Sequence, residues 1–443
     1  MVTNNKAAYL FLITLVVSLG GLLFGFDMAV VSGVLPLLKT QFSLSAGLEG
    51  WFVSSALVGC IIGVAVSGEL SDRLGRKKPL ILASLLFLLS ALGCSLLPSL
   101  PGIIVARVMG GIGIGLASNV VPLYISEIAP SRIRGRLVTY YQLAVTLGIL
   151  LAYLSNSALL NYGIAHANDT RGWLHTLLVD EVWRGMFAVG IIPAALFFFG
   201  LFIVPESPRW LNQQPDKKIS YRTLLEPKWR KALIIGILLP LFSQFSGINA
   251  IIYYGPSILN NAGISLSNSL ISQIIFGGAN MLFTLIAIWK VDSLGRRPLY
   301  LVGTAGAAIS LLLTGICFFV GATTGWALLI CVLAFLASFA FSIGPLKFVV
   351  ASEIFPGPIR GRAMAISIMV MWIADTIVGQ LTPILLKNIG TAFTFWLFAL
   401  FCLIAFITVF KLLPETKGRS LEQIEKDWKN EEKDEDLFVP VGH

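Results

Sequence analysis

Hydropathy along the chain rises and falls twelve times. Apolar runs cover 8–36, 48–70, 78–99, 103–128, 137–160, 182–204, 231–258, 266–290, 298–320, 326–354, 363–387 and 391–413, each parted from the next by a polar stretch. A helix of about 20 apolar residues crosses the hydrocarbon core of a bilayer, so the pattern predicts transmembrane helices throughout. Several runs contain Gly, Pro or one polar residue. Bundled membrane helices accommodate these because neighbours satisfy the freed backbone groups.

The polar stretches repeat. Ser126 to Arg136 reads SEIAPSRIRGR and Ser352 to Arg362 reads SEIFPGPIRGR, with eight of eleven letters alike, 226 residues apart. DRLGRK from Asp72 returns as DSLGRR from Asp292, and PESPR from Pro205 returns as PETKGR from Pro414, at offsets of 220 and 209. Ordered matches at nearly one offset describe two tandem copies of one unit. The expected fold is an all-α membrane protein with 12 transmembrane helices in two six-helix pseudo-repeat bundles, 1–204 and 231–413. A cytoplasmic linker at 205–230 joins them, and a cytoplasmic tail follows at 414–443. Duplicated polytopic chains are most often transporters whose halves rock about a central site.

Composition agrees: 56% of the 443 residues are hydrophobic and 12% charged, against about 25% charged in soluble domains. Mean hydropathy is +0.84. The net charge of +9 would invite a nucleic-acid reading, but its distribution rejects one. With both termini cytoplasmic, 26 of the 32 basic residues fall in cytoplasmic segments. That is the positive-inside pattern, and it places the chain as a multi-pass protein of the cell membrane. The five cysteines lie singly in apolar runs and the three histidines form no ligand set, so no metal or other cofactor is expected. A P-loop and a nucleophile elbow are also missing, which argues against an enzyme.

In each repeated loop a carboxylate precedes arginines across a tight Gly turn. Glu127 with Arg132, Arg134 and Arg136, and Glu353 with Arg360 and Arg362, are placed to form ion networks at the cytoplasmic face. So are Asp72 with Arg73 and Arg76, and Asp292 with Arg296 and Arg297. Such networks would hold one state when the halves close there and be lost when they part. Each exposed pair contributes about 0.2–1 kcal/mol, so only a set of them biases the equilibrium. The bland reading of the same residues is a row of positive-inside anchors.

Taken with GLLFGFDMAVVSG from Gly21, ARVMGGIGIGLAS from Ala106, VPLYISEIAPSRIRGR from Val121, PESPRWL from Pro205 and QFSGINAIIYY from Gln244, these strings resemble the sugar porter family of the major facilitator superfamily over nearly the whole chain. The resemblance implies alternating-access transport of monosaccharides (hexoses or pentoses) or polyols by a monomer. Passive uniport, transport of inositol or a sugar acid, and a non-transporting sugar sensor are the alternatives.

A charge at mid-bilayer costs at least about 2.5–3.5 kcal/mol, so it is usually paired or functional. Asp27 in the first helix and Arg107 in the fourth are two such charges. Either Asp27 accepts the proton of a symporter while Arg107 tunes its affinity, or the two form a structural ion pair. An Asp at the FGFD position resembles the proton-coupled members of the family.

Sugar hydroxyls stripped of water need replacement donors and acceptors, and amides offer both without charge. Gln142, Gln244, Asn249 and Asn280 match the family's sugar-contacting amides, and Phe24 and Trp372 either stack on the sugar or pack in the core. Tyr253 and Tyr254, near the helix breakers Gly247, Gly255 and Pro256, resemble the family's outer gate. The chain departs from the family's pattern at Ser243 (often Gln), Phe348 (often Trp), Met371 (often polar) and Asp375 (often Asn), and Lys347 is unexpected. A Lys347–Asp375 bridge is the economical reading. Alternatively, Lys347 faces the cavity and favours an acidic sugar, or it snorkels or pairs elsewhere. The linker is also short for the family, leaving room for at most one short helix around Ser220 to Leu225.

Overall fold

The computed structural model describes residues 2–130, 133–168, 172–211, 224, 226–261, 263–323, 326–355 and 360–417, with side chains at 2–7, 134–136, 139, 227–228, 261, 288–293, 348, 352 and 360–361 outside the description. The linker and tail predicted at 205–230 and 414–443 therefore lie largely outside it.

Among the described residues, twelve helices are long and apolar enough to cross a membrane. They are α1 (Ala8–Phe42), α2 (Ala46–Leu74), α3 (Lys77–Leu96), α4 (Leu100–Ile128), α5 (Tyr140–Ala165) and α6 (Val182–Ile203), then α7 (Trp229–Asn260), α8 (Leu266–Ala287), α9 (Arg296–Phe319), α10 (Trp326–Ala351), α11 (Arg362–Asn388) and α12 (Thr391–Leu412). Each falls on one of the apolar runs. Because the helices alternate in direction, the start of α1 and the end of α12 share one face with the Arg- and Lys-rich loops, called the basic face below.

Within the first six, α1 packs on α5 and α2 and α3 pack on α4; within the last six, α9 packs on α12 and α10, and α7 on α11. The α2–α4 seam is built on glycine. A Cβ on Gly111 would lie 1.9 Å from the Ala56 carbonyl oxygen, and one on Gly115 would lie 2.3 Å from that of Cys60. The mid-helix glycine run thus lets two backbones touch, as small residues do in membrane bundles.

Of the three suspected breakers in α7, only Gly247 interrupts the helix. Its φ of +82° separates Pro227–Phe245 from Ile248–Asn261. Pro256 is carried inside the second piece. A proline has no N–H for the carbonyl four residues earlier, and that carbonyl, Ile252 O, accepts instead from the Tyr153 hydroxyl of α5 at 3.4 Å. In α10, a π-turn at Phe339–Ile343 precedes Gly344 and Pro345.

Candidate functional site: a polar cavity between the halves

Between the two sets of six helices lies a cavity of about 130 Å³. Phe24 and Met28 of α1 and Gln142 and Thr146 of α5 form one wall. Gln244, Asn249 and Tyr253 of α7, Asn280 and Thr284 of α8, Lys347 of α10, and Met371, Trp372 and Asp375 of α11 form the other. All four expected amides meet here although they come from three helices. Phe24 and Trp372 face each other across the halves with ring centroids 5.4 Å apart. Trp372 is 1% exposed, and its indole N–H has no hydrogen-bond partner among the described residues.

The far wall is internally bonded. Asn249 Nδ2 donates to Gln244 Oε1 and to Asp375 Oδ1, both at 2.7 Å. The Tyr253 hydroxyl donates to Asp375 Oδ2 at 3.1 Å, and Lys347 Nζ donates to Ser243 Oγ at 3.0 Å. The direct Lys347–Asp375 bridge expected from the sequence is not formed: Lys347 meets Ser243 on α7, while Asp375 is taken by Asn249 and Tyr253 beyond the Gly247 break. Ser243 accordingly supports the wall from behind and does not line it. Tyr254 turns away: its hydroxyl donates to Gly379 O at 2.5 Å inside the second half. The Phe348 side chain lies outside the described residues.

Asp27 and Arg107 sit beside the cavity, in the first half. Arg107 Nη1 is 4.0 Å from Asp27 Oδ2, and neither atom has a hydrogen-bond partner among the described residues. Arg107 is held by Phe52, whose carbonyl accepts from Nε at 3.0 Å and whose ring lies 5.0 Å from the guanidinium carbon. The pair is close enough for attraction but too far for a full hydrogen bond.

On the face opposite the basic loops the halves are joined. Ser54 Oγ of α2 donates to Gln380 Oε1 of α11 at 2.8 Å, and Gln380 Nε2 donates to Gly47 O at 3.1 Å. Ser267 of α8 bonds Asn161 of α5 at 2.9 Å, and Tyr153 reaches Ile252 as described. Sequence reasoning missed Gln380, since one amide in an apolar run leaves no pattern.

On the basic face the expected networks take another form. Glu127 pairs with Arg76 (2.8 Å) and accepts from Ser207 Oγ; Glu353 pairs with Arg296 (2.9 Å) and accepts from Thr416 Oγ1. Asp72 lies 3.8 Å from Arg76, and Arg73 pairs with Glu69. Arg132 and the side chains of Arg134, Arg136, Asp292 and Arg360 are outside the described residues, and Arg362 and Arg297 are partly exposed. Every described ion pair on this face lies within one half, where the sequence reading expected pairs that hold the halves together. The reason is distance: each acid finds the arginine that follows the Gly turn of the neighbouring motif on its own side.

The third repeated string completes these brackets. Glu206 Oε1 accepts from the backbone N–H of Arg76 (2.8 Å) and Lys77 (3.2 Å), opening α3. Glu415 accepts likewise from Arg296 (3.0 Å) and Arg297 (3.1 Å), opening α9. Both sit against glycines with φ near +90°, Gly75 (+88°) and Gly295 (+89°), a conformation other residues rarely adopt. Burial raises the Glu415 carboxyl, but the N–H groups of Lys417, Arg296, Arg297 and Thr416 outweigh it and hold the group below the usual range. The recurrence of PE at Pro205 and Pro414 was the available signal for these caps.

Known proteins align over this whole arrangement. The "Sugar (and other) transporter" family model matches residues 13–225 and again 212–428. The arabinose-proton symporter of Bacillus subtilis is 39% identical, with 96% of each chain covered, and the D-xylose-proton symporter of Escherichia coli is 37% identical over 98% of each. The inward-open conformation of the E. coli xylose transporter XylE superposes with a TM-score of 0.79 at 37% identity, covering 95% of this chain and all of that one. A twofold match to one family model, on helices built as two copies of one unit, makes this chain a member of the sugar transporter family, multi-pass membrane transporters and not enzymes.

Proposed function

We propose that the protein is a proton-coupled symporter of a monosaccharide, with pentoses of the arabinose and xylose kind as first candidates. The carrying observation is the Asp27–Arg107 pair, two opposite charges 4.0 Å apart with unsatisfied facing atoms beside an amide-lined cavity. A carboxylate so placed binds a proton when Arg107 withdraws and releases it when Arg107 returns. The names of the relatives support sugar and proton as cargo.

The basic face is read as cytoplasmic, with both chain ends there. With the opposite seam bonded, the molecule then faces inward. The units 1–204 and 231–413 move about the cavity as two bodies joined by 205–230. Phe24 and Trp372 contact the sugar's apolar face, Tyr253 closes over it, and one chain suffices for transport. The test is uptake by proteoliposomes with and without an imposed proton gradient, across pentoses, hexoses and inositols. Gradient-driven accumulation of one of them supports the reading; flux indifferent to acidity reduces the protein to a passive carrier.

A further inference from the structure

Among the described residues, Lys347 and Asp375 are the charged side chains that line the cavity wall. Lys347 is 8% exposed and Asp375 2%, and both line the space where the sugar would sit. Asp375 also fixes the polarity of its neighbour. A carboxamide nitrogen has two N–H donors, and Asn249 gives one to Gln244 and the other to Asp375. What Asn249 can offer a ligand is therefore its carbonyl oxygen, an acceptor. Asp375 is an acceptor too, so this wall takes hydrogen bonds, and the Lys347 ammonium beside it supplies a donor. Together the two formal charges cancel.

A neutral polyol entering such a wall finds donors and acceptors with no net charge to oppose. A charged sugar would have to leave its hydration behind for a site offering no balancing charge, and desolvating an unpaired ion is costly. We propose that Lys347 and Asp375 are a charge-balanced specificity pair that restricts the cargo to uncharged sugars, and that removing either one opens the site to sugars carrying the same sign as the charge removed. Asp375→Asn removes the negative charge from the cavity lining and admits a uronate in its place. Lys347→Met leaves Asp375 uncompensated and admits a protonated amino sugar. The idea rests on the sugar-transport reading above and names the substrate class for the same cavity.

The experiment is counterflow exchange of labelled D-xylose and L-arabinose in proteoliposomes, which needs no net proton movement, with D-glucuronate and protonated D-glucosamine as competitors. Neither competitor should act on the wild type. Glucuronate should compete at least tenfold better in Asp375→Asn, and glucosamine at least tenfold better in Lys347→Met. The double variant should reject both and exchange neutral sugar faster than either single variant. Equal competition profiles in all four proteins would overturn the proposal. If the single variants fail to reach the membrane, the double variant decides: its recovery supports charge balance, and its failure refutes it. A wild type that exchanges no neutral sugar would instead sink the transport reading itself.

Discussion

Replacing Asp27 by Asn keeps the shape of the side chain and removes its ionisable group. At 4.0 Å from Arg107 and an effective dielectric near 20, the charges attract by about 4 kcal/mol before desolvation is counted against them. Protonation of Asp27 and the Asn substitution erase the same attraction, so the variant is locked in the protonated behaviour. In the wild type, one proton moving down about 100 mV yields roughly 2.3 kcal/mol. At about 1.4 kcal/mol per factor of ten, that sustains roughly 50-fold accumulation of a co-transported sugar. In Asp27→Asn the accumulation ratio should fall to unity while counterflow exchange continues. Proteoliposomes loaded to give a defined potential and pH difference report both quantities from one preparation. Accumulation above unity in the variant would refute a proton role for Asp27. Loss of exchange together with accumulation would assign the pair a structural role instead.

Other expectations concern the seam and the brackets. A Cβ at Gly50 would sit 2.3 Å from the Gln380 carbonyl oxygen, so Gly50→Ala should hinder closure of that face and raise labelling, from that side, of a cysteine introduced near Val53; unchanged labelling would count against the seam as a gate. Tyr153→Phe removes one bond across the seam, worth about 0.5–1.5 kcal/mol net, and should shift the same labelling by roughly two- to tenfold. The Glu415 carboxyl is held below its unfolded-state value, so its stabilisation is complete above that value and is lost as pH falls through the lowered one. Thermal stability in detergent should therefore fall on acidification, and Glu415→Gln should be less stable at neutral pH with a flatter acid limb; parallel curves would show that the cap contributes nothing.

The helix count and the doubling were legible because apolar length and repeated loop strings are properties of single segments. The amides Gln142, Gln244, Asn249 and Asn280 were legible because they match positions of the family's sugar-contacting amides, whereas Gln380, an amide in an apolar run with no such match, was not. Pairings were not. Whether Glu127 takes Arg76 or an arginine of its own loop depends on where the α2–α3 turn sits against the end of α4, a distance no spacing encodes. Lys347 likewise meets Ser243 of α7, not Asp375 of α11, a choice set by where three helices meet and by no spacing along the chain. Ser54 and Gln380 became partners only when two helices far apart in sequence met at one seam.

Each Glu–Arg bracket pairs helices of one set of six and is closed by a serine or threonine and a capping acid from the segment that follows it. Changes there should be felt in biogenesis. A cell bearing such a variant would carry fewer copies of a transporter that, copy for copy, works at its normal pace, and the remedy for it would be a folding aid, not a higher dose of sugar.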